Sequence, residues 1–170
     1  MKNLLVLITL TLSVLSINAQ TYNSTTNTDI FGNVTTKYTN QYGQTIGTAT
    51  SSQDVFGNIN TDYKDQYGQN TGRSQGNTDV FGNYNTNHYD QYGHSEGRSS
   101  GNTDIFGNYN TNHYDQYGQS EGSTQGSSDV FGNYNTNLYN QYGQSTGNTN
   151  TTKDIFGNYN TTIKLNNWPN

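Results

Sequence analysis

Apolar and polar positions alternate along this chain in a pattern that returns every 25 residues. In the first copy Val34, Thr36 and Tyr38 fall on one face of an extended segment, and polar residues occupy the positions between them. An alternation of period two predicts a half-buried β-strand of about seven residues. The corresponding inward sets in the later copies are Ile59, Thr61, Tyr63; Tyr84, Thr86, His88; Tyr109, Thr111, His113; Tyr134, Thr136, Leu138; and Tyr159, Thr161, Ile163.

A second, almost wholly polar stretch follows each apolar strand. In the fourth copy it runs from Gln119 to Ser127 and includes two glycines. The first of these glycines recurs in five copies, at Gly47, Gly72, Gly97, Gly122 and Gly147, and the second in three, at Gly76, Gly101 and Gly126. One unit of this kind buries too little apolar surface to offset its ordering entropy, so we expect neighbouring units to stabilise one another.

Two four-residue motifs separate the stretches, and both have the chemistry of tight turns. Asp-(Ile/Val)-Phe-Gly comes first, and (Asp/Asn)-Gln-Tyr-Gly follows 11 residues later. An Asp or Asn side chain at the first position accepts backbone hydrogen bonds, and Gly at the fourth adopts the left-handed conformation. The first motif supplies the structural turn residues Asp29, Phe31, Gly32, Asp54, Phe56, Gly57, Asp79, Phe81, Gly82, Asp104, Phe106, Gly107, Asp129, Phe131, Gly132, Asp154, Phe156 and Gly157. The second supplies Tyr42, Gly43, Tyr67, Gly68, Tyr92, Gly93, Tyr117, Gly118, Tyr142 and Gly143.

The first residues have the features of a secretory signal. An apolar run from Leu4 to Leu15 follows Lys2, and Ala19 offers a small residue at a cleavage position. We therefore expect a signal peptide at 1–19, an N-terminal segment at 20–28, a repeat domain of five full units and a partial sixth at 29–161, and a C-terminal cap at 162–170. The protein is predicted to be secreted, extracellular or at the cell surface, and not membrane-spanning, because the apolar run is short and does not recur.

Composition narrows the class of protein further. Loss of Lys2 with the signal changes the net charge from −5 to −6, which argues against nucleic acid as a partner. The absence of cysteine excludes disulfides and thiolate metal sites. Polar, glycine-rich chains are usually disordered, but the 15 tyrosines and 6 phenylalanines fall almost entirely at fixed repeat positions. We therefore predict ordered, all-β structure.

Two all-β architectures fit a 25-residue unit. A β-solenoid of strand-turn-strand coils would stack equivalent residues in ladders, and it is favoured because a coil can turn its polar strand to solvent. An antiparallel hairpin meander of about a dozen strands is the alternative. In a solenoid the six turn aspartates would stack and repel, which would raise the pKa of their carboxyls.

The repeat region, from about Asp29 to Thr161, resembles curlin, the subunit of bacterial curli fibres. The Gln-Tyr-Gly-Gln corner, the 11-residue half-spacing and the Gly/Asn/Gln/Ser/Thr/Tyr composition carry that resemblance, which implies stacked coils and an extracellular functional amyloid. The period here is longer, and Asp-x-Phe-Gly-Asn replaces one Gln corner. Tyr89–Gly93 and Tyr114–Gly118 are also similar to the YD repeats of Rhs-type secreted proteins, which implies hairpins instead.

No set of residues in the chain has the pattern of an active site. Carboxylates recur as scaffold, so we expect neither enzymatic activity, nor a cofactor, nor a metal site. His88 and His113 occupy equivalent positions and would adjoin in a solenoid. Replacement of an inward Tyr, Leu or Ile is the favoured interpretation of the pair, and metal binding by two adjoining imidazoles is the alternative. Ca²⁺ binding at the turn aspartates is left open beside simple turn capping.

These features predict a secreted, non-enzymatic structural protein that self-associates into an extracellular or cell-surface fibre or matrix. The open end of a solenoid would present unpaired backbone groups to the next molecule. The alternative is a secreted module that binds glycans or a surface, with Tyr89, Tyr114 and Tyr139 stacking on sugar rings from an outer face. Polysaccharide or a cell surface is therefore the second candidate partner after the protein itself.

Overall fold

The computed structural model describes residues 21–166, which form twelve antiparallel β-strands. The strands are seven to nine residues long, and each follows the previous one after a short turn. They are β1 (Thr21–Thr28), β2 (Val34–Asn40), β3 (Thr45–Gln53), β4 (Ile59–Asp65), β5 (Asn70–Thr78), β6 (Asn83–Asp90), β7 (Ser95–Thr103), β8 (Asn108–Asp115), β9 (Ser120–Ser128), β10 (Tyr134–Asn140), β11 (Ser145–Lys153) and β12 (Tyr159–Leu165). The all-β prediction is confirmed.

The strands form a closed barrel. Each strand pairs with its neighbours in the sequence, and β1 also pairs with β12, placing Tyr22 opposite Ile163. The predicted β-solenoid is therefore wrong, because both turn motifs reverse the chain and lay the next strand antiparallel beside the last. A solenoid corner would instead carry the chain onward into a parallel stack. The observed connectivity is that of the alternative, an antiparallel hairpin meander. The pairing of β1 with β12 closes this meander into a barrel.

Closure depends on segments that flank the predicted repeat domain. Residues 21–28 of the expected N-terminal segment form β1, and the start of the expected C-terminal cap continues β12 to Leu165. Six pairs of residues join β1 to β12, from Thr21 opposite Lys164 to Thr26 opposite Tyr159. The signal-peptide prediction lies outside the described residues, as do Trp168 and Pro169 of the cap.

The inner face of the wall alternates between large and small side chains. Even-numbered strands turn the predicted sets of aromatic, threonine and aliphatic residues inward, and the odd-numbered strands β3 to β11 turn Gly, Ser, Thr and Ala inward. The first strand, β1, is the exception, because it buries Tyr22 beside Ser24 and Thr26. The threonine at the middle of each even-numbered strand is at most 4% exposed: Thr36, Thr61, Thr86, Thr111, Thr136 and Thr161. Small residues on one strand thus leave room for the rings of the next.

Two of the three second glycines, Gly101 and Gly126, have their explanation in this packing. Tyr84 on β6 stands opposite Gly101 on β7, lies over it, and hydrogen-bonds to the hydroxyl of Thr111 on β8. Tyr109 lies over Gly126 and reaches Thr136 in the same way. A Cβ atom at Gly101 would lie 2.8 Å from the Tyr84 ring, so only glycine admits this arrangement.

Two tyrosines at this position have no facing glycine, and both are only half-buried; Tyr159 stands opposite Thr26. Tyr134 stands opposite Thr151 instead of glycine. Its ring is only half-buried and packs against Tyr159, with centroids 6.0 Å apart and planes tilted by 48°. A tyrosine at this position therefore lies across the inner face of the next strand only where that strand has a glycine opposite it.

Candidate binding surfaces at the two rims

The Asp-(Ile/Val)-Phe-Gly turns are held by backbone groups and the aspartate. In the first turn Asp29 Oδ1 accepts hydrogen bonds from the amides of Phe31 and Asn33, at 2.8 and 2.9 Å. The Gly32 amide donates to the Asp29 carbonyl, and Gly32 has a φ of 85° in the left-handed region. The Ile30 and Phe31 side chains take no part in these bonds, so the turn fixes their position without burying them.

The turn aspartates are separated around one end of the barrel, each within its own turn. The Asn33 carboxamide donates to Asp29 Oδ2 at 2.9 Å, and this bond, with the two backbone amides, lowers the pKa of the Asp29 carboxyl. The pKa of the equivalent carboxyls is lowered as well, at Asp54, Asp79, Asp104, Asp129 and Asp154. The expectation of a raised pKa from stacking is therefore wrong, because the strands do not place equivalent turns in direct register.

Antiparallel connectivity gathers all six of these turns at the same end, which we call the apolar rim. They follow the odd-numbered strands β1 to β11, so every one lies at the end where an odd strand finishes. Each carries two adjacent apolar side chains, which are 77–94% exposed. They are Ile30, Phe31, Val55, Phe56, Val80, Phe81, Ile105, Phe106, Val130, Phe131, Ile155 and Phe156.

The five Gln-Tyr-Gly turns lie at the opposite end, which we call the tyrosine rim. Asn40 Oδ1 accepts from the Tyr42 and Gln44 amides at 2.9 and 3.0 Å, and Gly43 has a φ of 78°. The ladder beside each of these turns contains one β-bulge, as between Tyr38 and Thr39, which is common at barrel rims. The tip tyrosines are 77–79% exposed: Tyr42, Tyr67, Tyr92, Tyr117 and Tyr142.

The outer tyrosines proposed from the sequence as sugar platforms are less accessible. Tyr89, Tyr114 and Tyr139 lie near the tyrosine rim and are half-buried. The guanidinium of Arg73 stacks on Tyr89 at 5.3 Å, and that of Arg98 stacks on Tyr114 at 5.1 Å. These cation–π contacts occupy a ring face of Tyr89 and of Tyr114 that a sugar would need.

His88 and His113 lie inside the barrel and are bridged by a serine. Ser99 Oγ is 2.8 Å from His88 Nε2 and 2.8 Å from His113 Nδ1. Burial lowers the pKa of both imidazoles to about 4, and for His88 the nearby His113 adds to the effect. The two residues hold inward positions, as the sequence suggested, and they form a neutral hydrogen-bonded chain.

Neither a metal centre nor a helical membrane span is visible within 21–166. This part of the chain has no cluster of three or more His, Cys, Asp or Glu side chains placed to hold a metal ion. It also has no helix of sufficient length and apolar character to cross a membrane. The exposed Ile and Val residues of the apolar rim were not singled out as functional by the sequence analysis, although an apolar pair at a turn centre was a usable signal.

Comparison with family models, with curated proteins and with solved structures found no match. The two rims are therefore the surfaces from which a function can be argued.

Proposed function

We propose that this protein is a secreted, non-enzymatic structural protein whose barrels associate rim to rim. The observation that carries the proposal is the apolar rim, with twelve large side chains exposed at one end of the barrel. Monomeric soluble proteins rarely expose contiguous apolar patches larger than about 600 Å². Such a surface is typical of a contact site.

The area suits a contact between two copies. A buried phenylalanine typically removes about 150–250 Å² from water, so six phenylalanines alone offer roughly 1,000 Å² on each rim. Stable interfaces bury about 1,600 Å² in total over both partners. Two apolar rims facing each other exceed that requirement even when each tip is only partly covered.

Closure of the barrel restricts the possible routes of association. Each of the twelve described strands has two paired neighbours, so none of them offers a free edge for strand addition. Molecules therefore cannot associate through an open strand edge, as expected of a solenoid, and we propose that they associate through their turns. Six equally constructed tips alternate with six gaps around the rim, which favours interdigitation of two identical rims.

The chain supplies its own matched variant for the test. Ile30→Gln with Phe31→Tyr, and the corresponding pair of changes in the other five turns, rewrites each apolar tip as the Gln-Tyr tip of the opposite rim. Asp65-Gln66-Tyr67-Gly68 shows that this tetrad makes the same type of turn in this protein. The variant is therefore expected to fold.

Sedimentation velocity over a concentration series measures the association. We expect the wild-type mature protein to dimerise, and the rewritten variant to dimerise at least tenfold more weakly, equivalent to about 1.4 kcal/mol. Tyr67→Ser, repeated at the other four tips of the tyrosine rim, is the control for side-chain changes at the opposite end of the barrel, and it should leave the association unchanged. Equal association of wild type and rewritten variant contradicts the proposal, as does a monomeric wild type that binds zwitterionic lipid vesicles through this rim.

A further inference from the structure

We propose that the tyrosine rim binds neutral polysaccharide. This site is separate from the apolar rim, and the inference does not depend on the rim-to-rim contact. Its starting observation is that five tyrosines recur at the tips of equivalent turns and are 77–79% exposed. The only ring contact made by these tyrosines within the described residues is between Tyr92 and His94, with centroids 6.2 Å apart.

The tips combine two groups that recognise sugars. A tyrosine ring offers an apolar face for the C–H groups of a pyranose, and its hydroxyl bonds to sugar hydroxyls or water. A glutamine precedes each tyrosine, at Gln41, Gln66, Gln91, Gln116 and Gln141, and all five are exposed. Because the turns are held by backbone groups and the Asp or Asn side chain, these carboxamides keep two donors and an acceptor for a ligand.

The charge of the tips favours a neutral ligand. Residues 40–44, 65–69, 90–94, 115–119 and 140–144 include three aspartates and no lysine or arginine. Glu96 and Glu121, on the adjoining bulges, add further negative charge. Arg73 and Arg98 stack on Tyr89 and Tyr114 below the tips and offset part of this charge. The tips themselves remain acidic, so an uncharged glycan suits them better than an anionic glycan or a nucleic acid.

Repetition around the rim favours a polymer over a single sugar. One tyrosine and one glutamine make a weak site, but five such sites on one rigid barrel are available to a repeating chain. Linked sites of this kind raise avidity by about 10²–10⁴ over a single contact. A β-1,4-linked glucan presents flat apolar ring faces at regular intervals, and it is the ligand class that we propose for exposed tyrosine rings.

Affinity gel electrophoresis of the mature protein tests the proposal, with hydroxyethyl cellulose as the neutral probe and carboxymethyl cellulose as the anionic probe on the same backbone. We expect retardation by hydroxyethyl cellulose and weaker retardation by carboxymethyl cellulose at low salt. Changing the five tip tyrosines to serine should weaken apparent binding at least tenfold, because the ring faces are removed. The turns should be retained, because the tyrosine side chains make none of the hydrogen bonds that hold them. Circular dichroism checks that the barrel is retained.

A gain-of-binding variant separates this proposal from the previous one. Rewriting the apolar rim with Gln-Tyr tips should abolish self-association and preserve or increase binding to hydroxyethyl cellulose. The proposal is overturned if wild type is not retarded, if the serine variant binds equally well, or if carboxymethyl cellulose binds more strongly. Loss of self-association in the serine variant, without glycan binding by wild type, would assign the tyrosine rim to a protein contact instead.

Discussion

Acid should destabilise this barrel well before its aspartates are protonated, through His88 and His113. Both imidazoles have a pKa of about 4 in the folded protein because burial disfavours the charged form. An unfolded histidine has a pKa of about 6.5. Since the folded pKa is the lower of the two, protonation favours the unfolded chain. The stability contributed by the neutral imidazoles is complete above pH 6.5 and is lost as the pH falls toward 4.

The size of the effect follows from the two pKa values. Between pH 7.5 and pH 5, each histidine should lower the free energy of unfolding by about 2 kcal/mol, and the pair by about 4 kcal/mol. This is a large part of a typical stability of about 5–15 kcal/mol.

The assay is urea denaturation followed by far-ultraviolet circular dichroism at pH 7.5, 6 and 5. With a urea slope of about 2 kcal/mol per molar, the wild-type midpoint should fall by about 2 M over this range. The turn aspartates should remain ionised throughout, because the pKa of each is lowered from an ordinary value of 3.8. Burial, with nearby Asp115 and Glu96, raises the pKa of the Glu121 carboxyl, so its protonation favours the folded state and offsets a small part of the loss. The two histidines dominate in this window.

The matched variant is His88→Leu with His113→Leu, since Leu138 occupies the equivalent inward position on β10. Its midpoint should change little between pH 7.5 and 5, whatever its absolute stability. His94→Gln is the control for an exposed imidazole, because its side chain is 80% exposed and four copies have Gln there. The reasoning is refuted if the leucine variant loses as much stability in acid as the wild type.

Three further changes test the wall, the turns and the closure. Gly101→Ser should destabilise by about 2–4 kcal/mol in urea melts, because the new side chain meets the Asn110 carbonyl oxygen and the Tyr84 ring. Adding Tyr84→Val, as in the Val34–Ser51 pair of the first copy, should recover the part of the loss that is due to the ring, and an unrelieved double variant would contradict the pairing. Gly82→Val should lower the free energy of unfolding by about 1–3 kcal/mol, because the φ of Gly82 is 86°. Val80→Ile in the same turn is the control and should cost less than about 0.5 kcal/mol, so similar melting of both variants would contradict the proposed turn. Removing residues 20–28 deletes β1 and leaves β2 and β12 with free edges that can pair with another molecule. Light scattering should therefore show aggregation, and a monodisperse product would argue against closure through β1.

Local features of the fold were predictable because local chemistry sets them. The alternation in each even-numbered strand located the inward face, and the middle threonines are buried there. The tetrads located the chain reversals, since Asp or Asn at the first position and Gly at the fourth form a turn regardless of what surrounds it. Strand positions and turn positions therefore followed from the pattern.

Closure and pairing direction were not predictable in the same way. The contact of Tyr22 with Ile163 joins residues at opposite ends of the sequence, and no local signal encodes it. The choice of solenoid over hairpin meander went wrong because a repeat period is compatible with both, whereas the direction of the next strand depends on the twist across each turn. A usable signal was present in the facing pairs, since Gly101 and Gly126 accompany Tyr84 and Tyr109, and Thr151 accompanies the displaced Tyr134.

The difference between the two rims is a consequence of this connectivity. Two turn sequences alternate along the chain, and an antiparallel barrel sends one to each end, so an alternation in sequence becomes a separation in space. In a solenoid the same residues would have formed two columns along one molecule, and neither end would have been chemically distinct. Barrels joined through their apolar rims would leave two tyrosine rims facing outward in opposite directions. The two proposals together therefore describe a dimer able to cross-link polysaccharide chains. By this route a small barrel without free strand edges would contribute to an extracellular matrix.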